Sequence, residues 1–252
     1  MEYYILASGS KGNATLVVDK GHVILIDMGL TLKCFKERLE ETPYTIDDIE
    51  AVLVTHNHSD HIAGVHFIKN APKYAAEGTL NEDYNVLDLY SSYVIAGLKI
   101  TVLPTSHDAT NPIGFVIENE EEKLIYMTDT GYVSERNIVY MKNADYYIIE
   151  SNHNVRMLLA TNRPYELKQR ILGDEGHLSN EDSALYISEC VGEKTREIVL
   201  AHLSEEANTP THALEAYYRI FRRRYCNPDL YEIKTAYQYK VVSGGLKTKL
   251  WW

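Results

Sequence analysis

Five short apolar runs in this chain are each followed by a polar residue that can bind a metal ion or move a proton. The runs are four to six residues long and rich in Val, Ile and Tyr, which is typical of buried β-strands. They are 51–54 before His56, 99–104 before His107, 123–127 before Asp129, 145–149 before Glu150, and 197–201 before His202. The repeated pattern predicts strands whose ends carry a functional site.

Three other segments have the apolar spacing of amphipathic helices, at 31–41, 179–191 and 211–224. In the second of these, Ser179 and Asp182 have the spacing of a capping box. Strands and helices that alternate along the chain predict a layered α/β architecture. Ligands bind beyond the carboxyl ends of the strands in such sheets, so we expect the five polar ends to gather at one edge.

The densest group of candidate ligands is HNHSDH at 56–61, directly after the first run. On a loop that enters a helix, His56 and His58 can point the same way, while Asp60 and His61 project to an adjacent point. Imidazole nitrogens and carboxylate oxygens suit zinc, manganese or iron. Four ligands on one turn are more than a single tetrahedral site uses while leaving room for water. The loop therefore predicts two metal ions, and a merely solvated polar loop is the less favoured interpretation.

HNHSDH matches the HxHxDH signature of the metallo-β-lactamase superfamily, and PTSHD, MTDTG and LAHLS follow in that family's order. The chain resembles this superfamily, which implies a four-layer αββα sandwich with a dimetal site at one edge of the paired sheets. The resemblance implies one metal held by His56, His58 and His107, a second held by Asp60, His61 and His202, and Asp129 between them. Asp60 or Asp129 is then expected to orient the attacking water. Aspartate rather than cysteine at 129 favours a nuclease or esterase over an antibiotic hydrolase.

Residues 150–154, 164–184 and 200–210, together with SGSKGN at 8–13, resemble the YycJ/WalJ branch of the superfamily. This resemblance extends from residue 3 to about residue 221 and implies a 5′-to-3′ exonuclease that degrades double-stranded DNA. His177 in GHLSNED matches a non-ligand histidine that assists proton transfer in related nucleases such as ribonuclease Z. We therefore predict that His177 and Asp60 are catalytic. The alternative role of His177, capping the helix at 179–191, is already supplied by Ser179.

Substrate contacts are predicted on two segments. The turn at 8–13 can form a backbone nest for an anion, with Ser8, Ser10 and Asn13 as candidate phosphate-binding residues, although a tight connection between strands needs the same residue types. Lys168 and Arg170 precede His177 and are candidate phosphate ligands. The alternative for these two cations is a solvated helix face.

Two further residues are expected to support the site. Glu150 is predicted to hydrogen-bond a ligating histidine and so to fix its tautomer, as carboxylates behind metal ligands commonly do. His153 is predicted either to support a ligand in the same way or to lie near the substrate.

The net charge of −11 leaves the substrate class open. An acidic protein is a poor partner for a polyanion, which favours a small-molecule hydrolase such as a thioesterase, lactonase or cyclic-phosphate diesterase with the same metals. The resemblance favours DNA ends as the partner. A third alternative is a non-catalytic partner protein whose metals only stabilise the fold, and the complete ligand set argues against it. Zinc and manganese both suit the ligands.

No repeat, linker or low-complexity block divides the chain, so we expect one domain over 1–252 with a basic C-terminal extension from about 225. That extension ends in Trp251 and Trp252. No run approaches the ~20 apolar residues of a membrane helix, so no membrane contact is expected. Three widely spaced cysteines and the absence of a signal-peptide pattern fit a cytoplasmic protein.

Overall fold

The structure is a computed structural model, and it describes residues 1–245; Trp251 and Trp252 lie outside the described residues. Two seven-stranded sheets form its centre. The first sheet contains β1 (Glu2–Ala7), β2 (Ala14–Asp19), β3 (His22–Ile26), β4 (Ile49–Leu53), β5 (Lys73–Ala75), β6 (Asn85–Val86) and β14 (Val242–Gly244). Its spatial order is β14-β1-β2-β3-β4-β5-β6. The neighbours from β14 to β3 are antiparallel, and those from β3 to β6 are parallel.

The second sheet contains β7 (Ser92–Ile95), β8 (Leu98–Pro104), β9 (Ile113–Glu118), β10 (Lys123–Met127), β11 (Tyr146–Glu150), β12 (Glu197–Ala201) and β13 (Glu232–Thr235). Its spatial order is β13-β12-β11-β10-β9-β8-β7. The neighbours from β7 to β10 are antiparallel, and those from β10 to β13 are parallel. β13 and β14 place much of the basic C-terminal stretch in the two sheets, so residues 232–244 are an integral part of the sandwich.

Within residues 1–245, seven α-helices and three 3₁₀ turns connect the strands. The helices are α1 (Leu32–Leu39), α2 (Ser59–Ile62), α3 (Glu135–Met141), α4 (Val155–Ala160), α5 (Tyr165–Leu172), α6 (Asn180–Cys190) and α7 (Pro210–Arg223). The 3₁₀ turns are Ile46–Asp48, Val65–Phe67 and Pro228–Leu230. No helix in the described part of the chain is long and apolar enough to span a membrane.

Both faces of the central strands are apolar because each sheet is covered on both sides. In β3, Ile24 and Ile26 belong to the core between the sheets, whereas Val23 and Leu25 pack in a second cluster with Phe35 of α1. The outer face of the second sheet packs in the same way against residues of α3, α6 and α7. The result is the predicted αββα arrangement of helix, sheet, sheet and helix.

The local predictions from the sequence are also confirmed. The five apolar runs form β4, β8, β10, β11 and β12, and the three amphipathic segments form α1, α6 and α7. Ser179 caps α6, since its Oγ accepts a hydrogen bond from the amide of Asp182 at 3.1 Å. His177 is therefore not needed as the cap of that helix.

Candidate metal centre

The carboxyl ends of six strands meet at one edge of the two sheets and carry the candidate ligands. The strands are β3, β4, β8, β10, β11 and β12. Three residues just beyond them have left-handed backbone angles: φ is 58° at Asp27, 55° at Asp129 and 54° at His202. Such angles are uncommon for residues other than glycine and are concentrated at functional sites. The chain therefore turns sharply where these side chains enter the site.

A close approach of two backbone segments fixes the loop that carries HNHSDH. A Cβ atom at Gly29 would lie 1.6 Å from the carbonyl oxygen of Asp60, so only glycine fits there. The same carbonyl accepts a hydrogen bond from the amide of Asn13 at 2.8 Å. Three loops, after β1, β3 and β4, thus hold α2 and its ligands in place.

One group of candidate ligands consists of His56, His58 and His107. Their donor nitrogens all lie within 4.8 Å of one another. His107 Nε2 is 3.3 Å from His58 Nδ1. Three imidazole nitrogens at this spacing can bind one divalent ion, as the sequence predicts.

A second group consists of Asp60, His61 and His202, whose donor atoms also lie within 4.8 Å of one another. Asp60 Oδ2 is 3.6 Å from His61 Nε2 and 3.9 Å from His202 Nε2. The structure thus assembles the second predicted set, although its three members follow two strands, β4 and β12, whose ends at Leu53 and Ala201 are 148 residues apart in the chain. Asp60 is the most exposed of the three, with 23% of its side chain accessible.

Asp129 lies between the two groups. Its Oδ2 is 3.2 Å from His61 Nε2 and its Oδ1 is 3.7 Å from His107 Nε2, so one carboxylate reaches both sets. Burial alone would raise the pKa of this carboxyl, but the neighbouring imidazoles of His202 and His61 hold it well below its ordinary value. Asp129 is therefore an anion in the position where a bridging ligand is expected.

Four of the histidines share one arrangement, in which Nδ1 bonds outward and Nε2 faces the centre of the site, although Nε2 of His61 also lies 3.0 Å from Nδ2 of Asn13. Nδ1 of His56 lies 3.0 Å from Thr55 Oγ1, and Nδ1 of His61 lies 2.8 Å from Asp27 Oδ2. Nδ1 of His107 lies 3.0 Å from the Gly176 carbonyl, and Nδ1 of His202 lies 2.9 Å from Glu150 Oε1. Outer acceptors of this kind fix the orientation and tautomer of metal-binding histidines, so that Nε2 is the nitrogen offered to a metal ion.

Buried nitrogens without partners show that metal ions fit this centre. Among the described residues, Nε2 of His56 and Nε2 of His202 are inaccessible to solvent and have no hydrogen-bond partner. A buried polar atom without a partner costs about 1–3 kcal/mol. Coordination to a divalent cation would satisfy both nitrogens, and the donor set of imidazole and carboxylate suits such an ion.

Glu150 makes the hydrogen bond that the sequence predicts and a second one to His177. Its Oε1 accepts from His202 Nδ1 at 2.9 Å and from His177 Nδ1 at 2.8 Å. Burial alone would raise the pKa of Glu150, but the two histidines lower it to about 2. The buried carboxylate therefore holds two imidazoles at once.

Asp27 is a supporting residue that the sequence reasoning missed. It is fully buried, and its Oδ2 accepts from His61 Nδ1 while its Oδ1 accepts from the amide of Thr55 at 2.8 Å. Burial alone would lower the pKa of His61, but Asp27 and Asp129 raise it to about 10. The signal was available, because Asp27 directly follows the apolar run at 22–26, in the pattern of the other strand ends.

A cleft of about 180 Å³ opens beside the candidate ligands. It is lined by residues that include Ser10, His107, Asp108, Arg170, His177 and Ser204. His177 has 20% of its side chain accessible, and its Nδ1 is 3.7 Å from Asp129 Oδ1. The predicted catalytic histidine thus lies at the boundary between the ligand cluster and solvent, where a proton can be exchanged with a substrate.

The turn at 8–13 does not form the expected anion nest. Its amides donate to protein groups in the structure, as they do at Ser8, Gly9, Lys11, Gly12 and Asn13. The side chain of Asn13 is buried and is used within the turn, since its Oδ1 accepts from the amide of Gly9 at 2.9 Å and its Nδ2 donates to the Gly9 carbonyl at 3.1 Å. Asn13 therefore holds the turn together and offers no free group to a phosphate.

The other predicted substrate residues are divided between the cleft and its surroundings. Ser10 and Arg170 line the cleft, and Arg170 forms an ion pair there with Asp108. Ser8 is buried, and its Oγ accepts a hydrogen bond from the amide of His202 at 2.8 Å, so it positions a candidate ligand.

The structure places Lys168 beside α4 and buries His153. Lys168 Nζ donates to the carbonyls of Leu159 and Thr161 at 2.7 Å each, which caps the end of α4 and occupies two of its three donors. This arrangement leaves one donor of Lys168 for a phosphate, so the predicted contact stays a prediction. His153 is buried, and within residues 1–245 neither ring nitrogen has a hydrogen-bond partner, so it does not support a ligand. Burial lowers its pKa to about 4.

Comparison with known proteins agrees with this geometry. Residues 22–203 match the family profile of the β-lactamase superfamily domain. The exodeoxyribonuclease YycJ of Bacillus anthracis is 35% identical over 222 residues, which cover 82% of this chain and 84% of that protein. The chain belongs to the metallo-β-lactamase superfamily.

Within the superfamily, the chain is similar to the YycJ/WalJ proteins. The exodeoxyribonuclease WalJ of Streptococcus pneumoniae is 36% identical over 225 residues, which cover 82% of this chain and 83% of that protein. The metallo-β-lactamase fold protein YhfI from Bacillus subtilis has a similar structure, with a TM-score of 0.72 over 96% of this chain and 99% of that chain. At 17% identity, YhfI supports the fold alone.

Proposed function

We propose that this metallo-β-lactamase protein is a dimetal phosphodiesterase that acts as a 5′-to-3′ exonuclease on double-stranded DNA. The observation that carries the proposal is the pair of ligand groups joined by Asp129, in a chain about 35% identical to named exodeoxyribonucleases over four fifths of its length. Its three cysteines are free, as suits the cytoplasm, where we expect the enzyme to act.

Two ions would be held by the residues already named: His56, His58 and His107 for one, Asp60, His61 and His202 for the other, and Asp129 for both. When bound, two divalent ions such as zinc or manganese activate water and stabilise the attacking and leaving oxygens of a phosphodiester displacement. The partly exposed Asp60 carboxylate is the group in reach of solvent that can orient the attacking water.

His177 is the proton donor or acceptor of the proposed reaction. Its Nδ1 donates to Glu150, so its Nε2 is the nitrogen that can take up or release a proton. In the cleft, His177 lies beside the ligands and beside Arg170. A protonated His177 would give its proton to the leaving oxygen of the cleaved phosphodiester.

Ser10 and Arg170 are the proposed phosphate contacts in the cleft. The guanidinium of Arg170 is held by Asp108, which fixes its position and leaves further N–H donors for a phosphate oxygen. Contacts to phosphate oxygens place the strand without reading its sequence. We therefore expect degradation that is independent of sequence.

The small-molecule hydrolase is the second candidate, favoured by the net charge of −11 and by a cleft of only about 180 Å³. The two functions differ in their response to salt. Binding of a duplex releases counterions and should weaken steeply as salt is added, whereas turnover of a small ester should not.

The test is digestion of a linear duplex labelled at either the 5′ or the 3′ end, with manganese or zinc supplied. Asp129→Asn is the inactive comparison, and Asp229→Asn, at an exposed carboxylate in the Pro228–Leu230 turn, is the matched control. Early release of 5′-labelled nucleotides by the parent and by Asp229→Asn, but not by Asp129→Asn, is the expected result. If a sample shown to carry two metals releases no nucleotide, the DNA assignment is wrong.

A further inference from the structure

A second groove of about 350 Å³ lies beside the cleft, between residues 203–210 and residues 236–240. We call it the tyrosine groove, because Tyr237 and Tyr239 line it. Ser204 lines both the cleft and the tyrosine groove, and Ser8, whose Oγ holds the amide of His202, lines the groove as well. The groove therefore borders the cleft at Ser204 and reaches the backbone of the candidate ligand His202 through Ser8.

The two tyrosines are exposed, as Tyr132, Tyr165 and Tyr225 are elsewhere on the surface, and a lysine lies over the ring of each. Tyr239 is 58% exposed and Tyr237 is 39% exposed, whereas Tyr3, Tyr146, Tyr147 and Tyr217 are all at most 1% exposed. An exposed aromatic ring beside a site can stack against a flat ligand.

The segment that carries these rings is held rigidly against the turn at 8–13. The amide of Ser8 donates to the carbonyl of Tyr237 at 3.1 Å. Gln238, which lies between the two tyrosines in the chain, makes two hydrogen bonds to this turn. Its Oε1 accepts from the amide of Lys11 and its Nε2 donates to the carbonyl of Gly12, both at 2.9 Å. A platform fixed in this way loses little conformational freedom when a ligand binds.

Lys240 lines the groove and Lys11 lies beside it, while the carboxylate of Glu205, which also lines the groove, pairs with Lys11. Lys11 Nζ is 2.7 Å from the hydroxyl of Tyr239, and Lys240 Nζ lies 5.7 Å from the centre of the Tyr237 ring. Aromatic faces interleaved with cations are the combination that binds the bases and the backbone of nucleic acid strands. Neither a purely apolar ligand nor a free metal ion would use both.

We propose that the tyrosine groove binds, by stacking on Tyr239 and Tyr237, the base of the nucleotide next to the phosphate that is cleaved. This inference rests on the proposed DNA exonuclease and names the part of its substrate that the groove accommodates. Stacking acts on the face of any base, so it would hold the strand end without selecting sequence. The subsite would also require that the end of the duplex opens before the strand enters.

The test compares binding of two duplexes that differ at one base. The manganese-loaded full-length protein is titrated with duplexes whose terminal linkages are hydrolysis-resistant phosphorothioates, carrying at the 5′ end either 2-aminopurine or an abasic analogue. We expect the parent to bind the base-bearing end about 5- to 100-fold more tightly, the range for stacking one base, and to quench its fluorescence. Tyr239→Ala, and more strongly the double variant with Tyr237→Ala, should lose this preference.

Two matched variants separate stacking from other effects. Tyr239→Phe keeps the ring and should keep the preference, although it removes the hydroxyl that contacts Lys11. Tyr225→Ala removes a tyrosine that is 98% exposed beyond the end of α7, and it should also keep the preference. Thermal unfolding of each variant shows whether it remains folded.

The two proposals fail in different ways. If the parent degrades unmodified duplex but binds base-bearing and abasic ends equally well, the tyrosine subsite is wrong and the exonuclease assignment stands. If Tyr239→Ala keeps the full preference, the subsite is likewise wrong. If the parent neither degrades duplex nor binds its ends, the exonuclease assignment fails, and the subsite that rests on it fails too.

Discussion

Replacing Glu150 with glutamine should weaken metal binding although the two side chains have the same size. All four partners of this carboxylate are donors: Oε1 accepts from Nδ1 of His177 and Nδ1 of His202, and Oε2 accepts from the amides of Thr130 and Leu178 at 3.0 Å each. Glutamine has one acceptor oxygen and one NH₂ group. Because the backbone amides cannot change protonation, we expect the glutamine oxygen to face them and its NH₂ group to face the histidines.

His202 can accept from that NH₂ group only if its proton moves from Nδ1 to Nε2. Nε2 is the nitrogen that lies 3.9 Å from Asp60, in the second ligand group, and a protonated nitrogen cannot bind a metal ion. Loss of such an outer partner typically lowers metal affinity by about 10- to 100-fold, and we expect Glu150→Gln to lose affinity in that range. The strain of mismatched buried donors should lower the free energy of unfolding by about 1–3 kcal/mol.

Zinc uptake against a competing chelator measures the affinity, and urea unfolding measures the stability. Glu197→Gln is the matched control: Glu197 accepts from the hydroxyl of Tyr3 at 2.6 Å and lies at the opposite end of the neighbouring strand β12. It should lose stability with no change in zinc affinity. If Glu150→Gln binds zinc as tightly as the parent, the argument from the tautomer of His202 is wrong.

Three further predictions concern Asp27, Lys168 and Glu197. Asp27→Asn should lower zinc affinity by about tenfold in the chelator assay, because the acceptor of His61 Nδ1 is replaced by a donor; unchanged affinity would contradict this role. Lys168→Met should cost about 1 kcal/mol in urea unfolding, since it uncaps α4, and it should leave the salt dependence of duplex binding unchanged; a smaller slope would show a phosphate contact instead. Burial alone would raise the pKa of Glu197, but Lys234 holds it below its ordinary value, so its stabilising effect is present above about pH 4.3 and is lost as the pH falls through the lower folded pKa. Urea unfolding of Glu197→Gln should therefore change less than that of the parent from about pH 5 to pH 3, and an equal change would refute this assignment.

The position of the site at one edge of the sheets was predictable from the sequence, because the side-chain period and the direction of a strand are local properties of the chain. The apolar run at 197–201 fits a sheet that is covered on both faces only as a buried strand. His202, the polar residue that follows the run, must then lie beyond the carboxyl end of that strand. The same reasoning applies to Asp129 after β10 and to His107 beyond β8. It applies to Asp27 as well, where the pattern was present and was not used.

The turn at 8–13 and Lys168 show where that reasoning stops. Glycine, serine and asparagine in SGSKGN suit an anion nest and a tight connection between strands equally well. Only the folded structure shows that the amides are taken up by Tyr237, Gln238, Asp60 and groups within the turn. Lysine is a residue type that binds phosphate, but Nζ of Lys168 donates hydrogen bonds to two backbone carbonyls at the end of α4. A lysine side chain donates hydrogen bonds to the acceptors nearest to it in the folded chain, and the sequence does not show which acceptors those are.

The sequence by itself determined which residue types reach the site, because the order of strands and ligands is written along the chain. Tertiary structure alone decided how three of these histidines are held, since their outer partners lie far away in sequence: 34 residues separate His61 from Asp27, 52 separate His202 from Glu150, and 69 separate His107 from Gly176. The first two of these bonds join the ends of neighbouring strands of one sheet, β3 with β4 and β11 with β12, so they form only once those strands have paired. Protonation of the ligands, and with it the capacity to bind metal, is therefore a property of the folded chain.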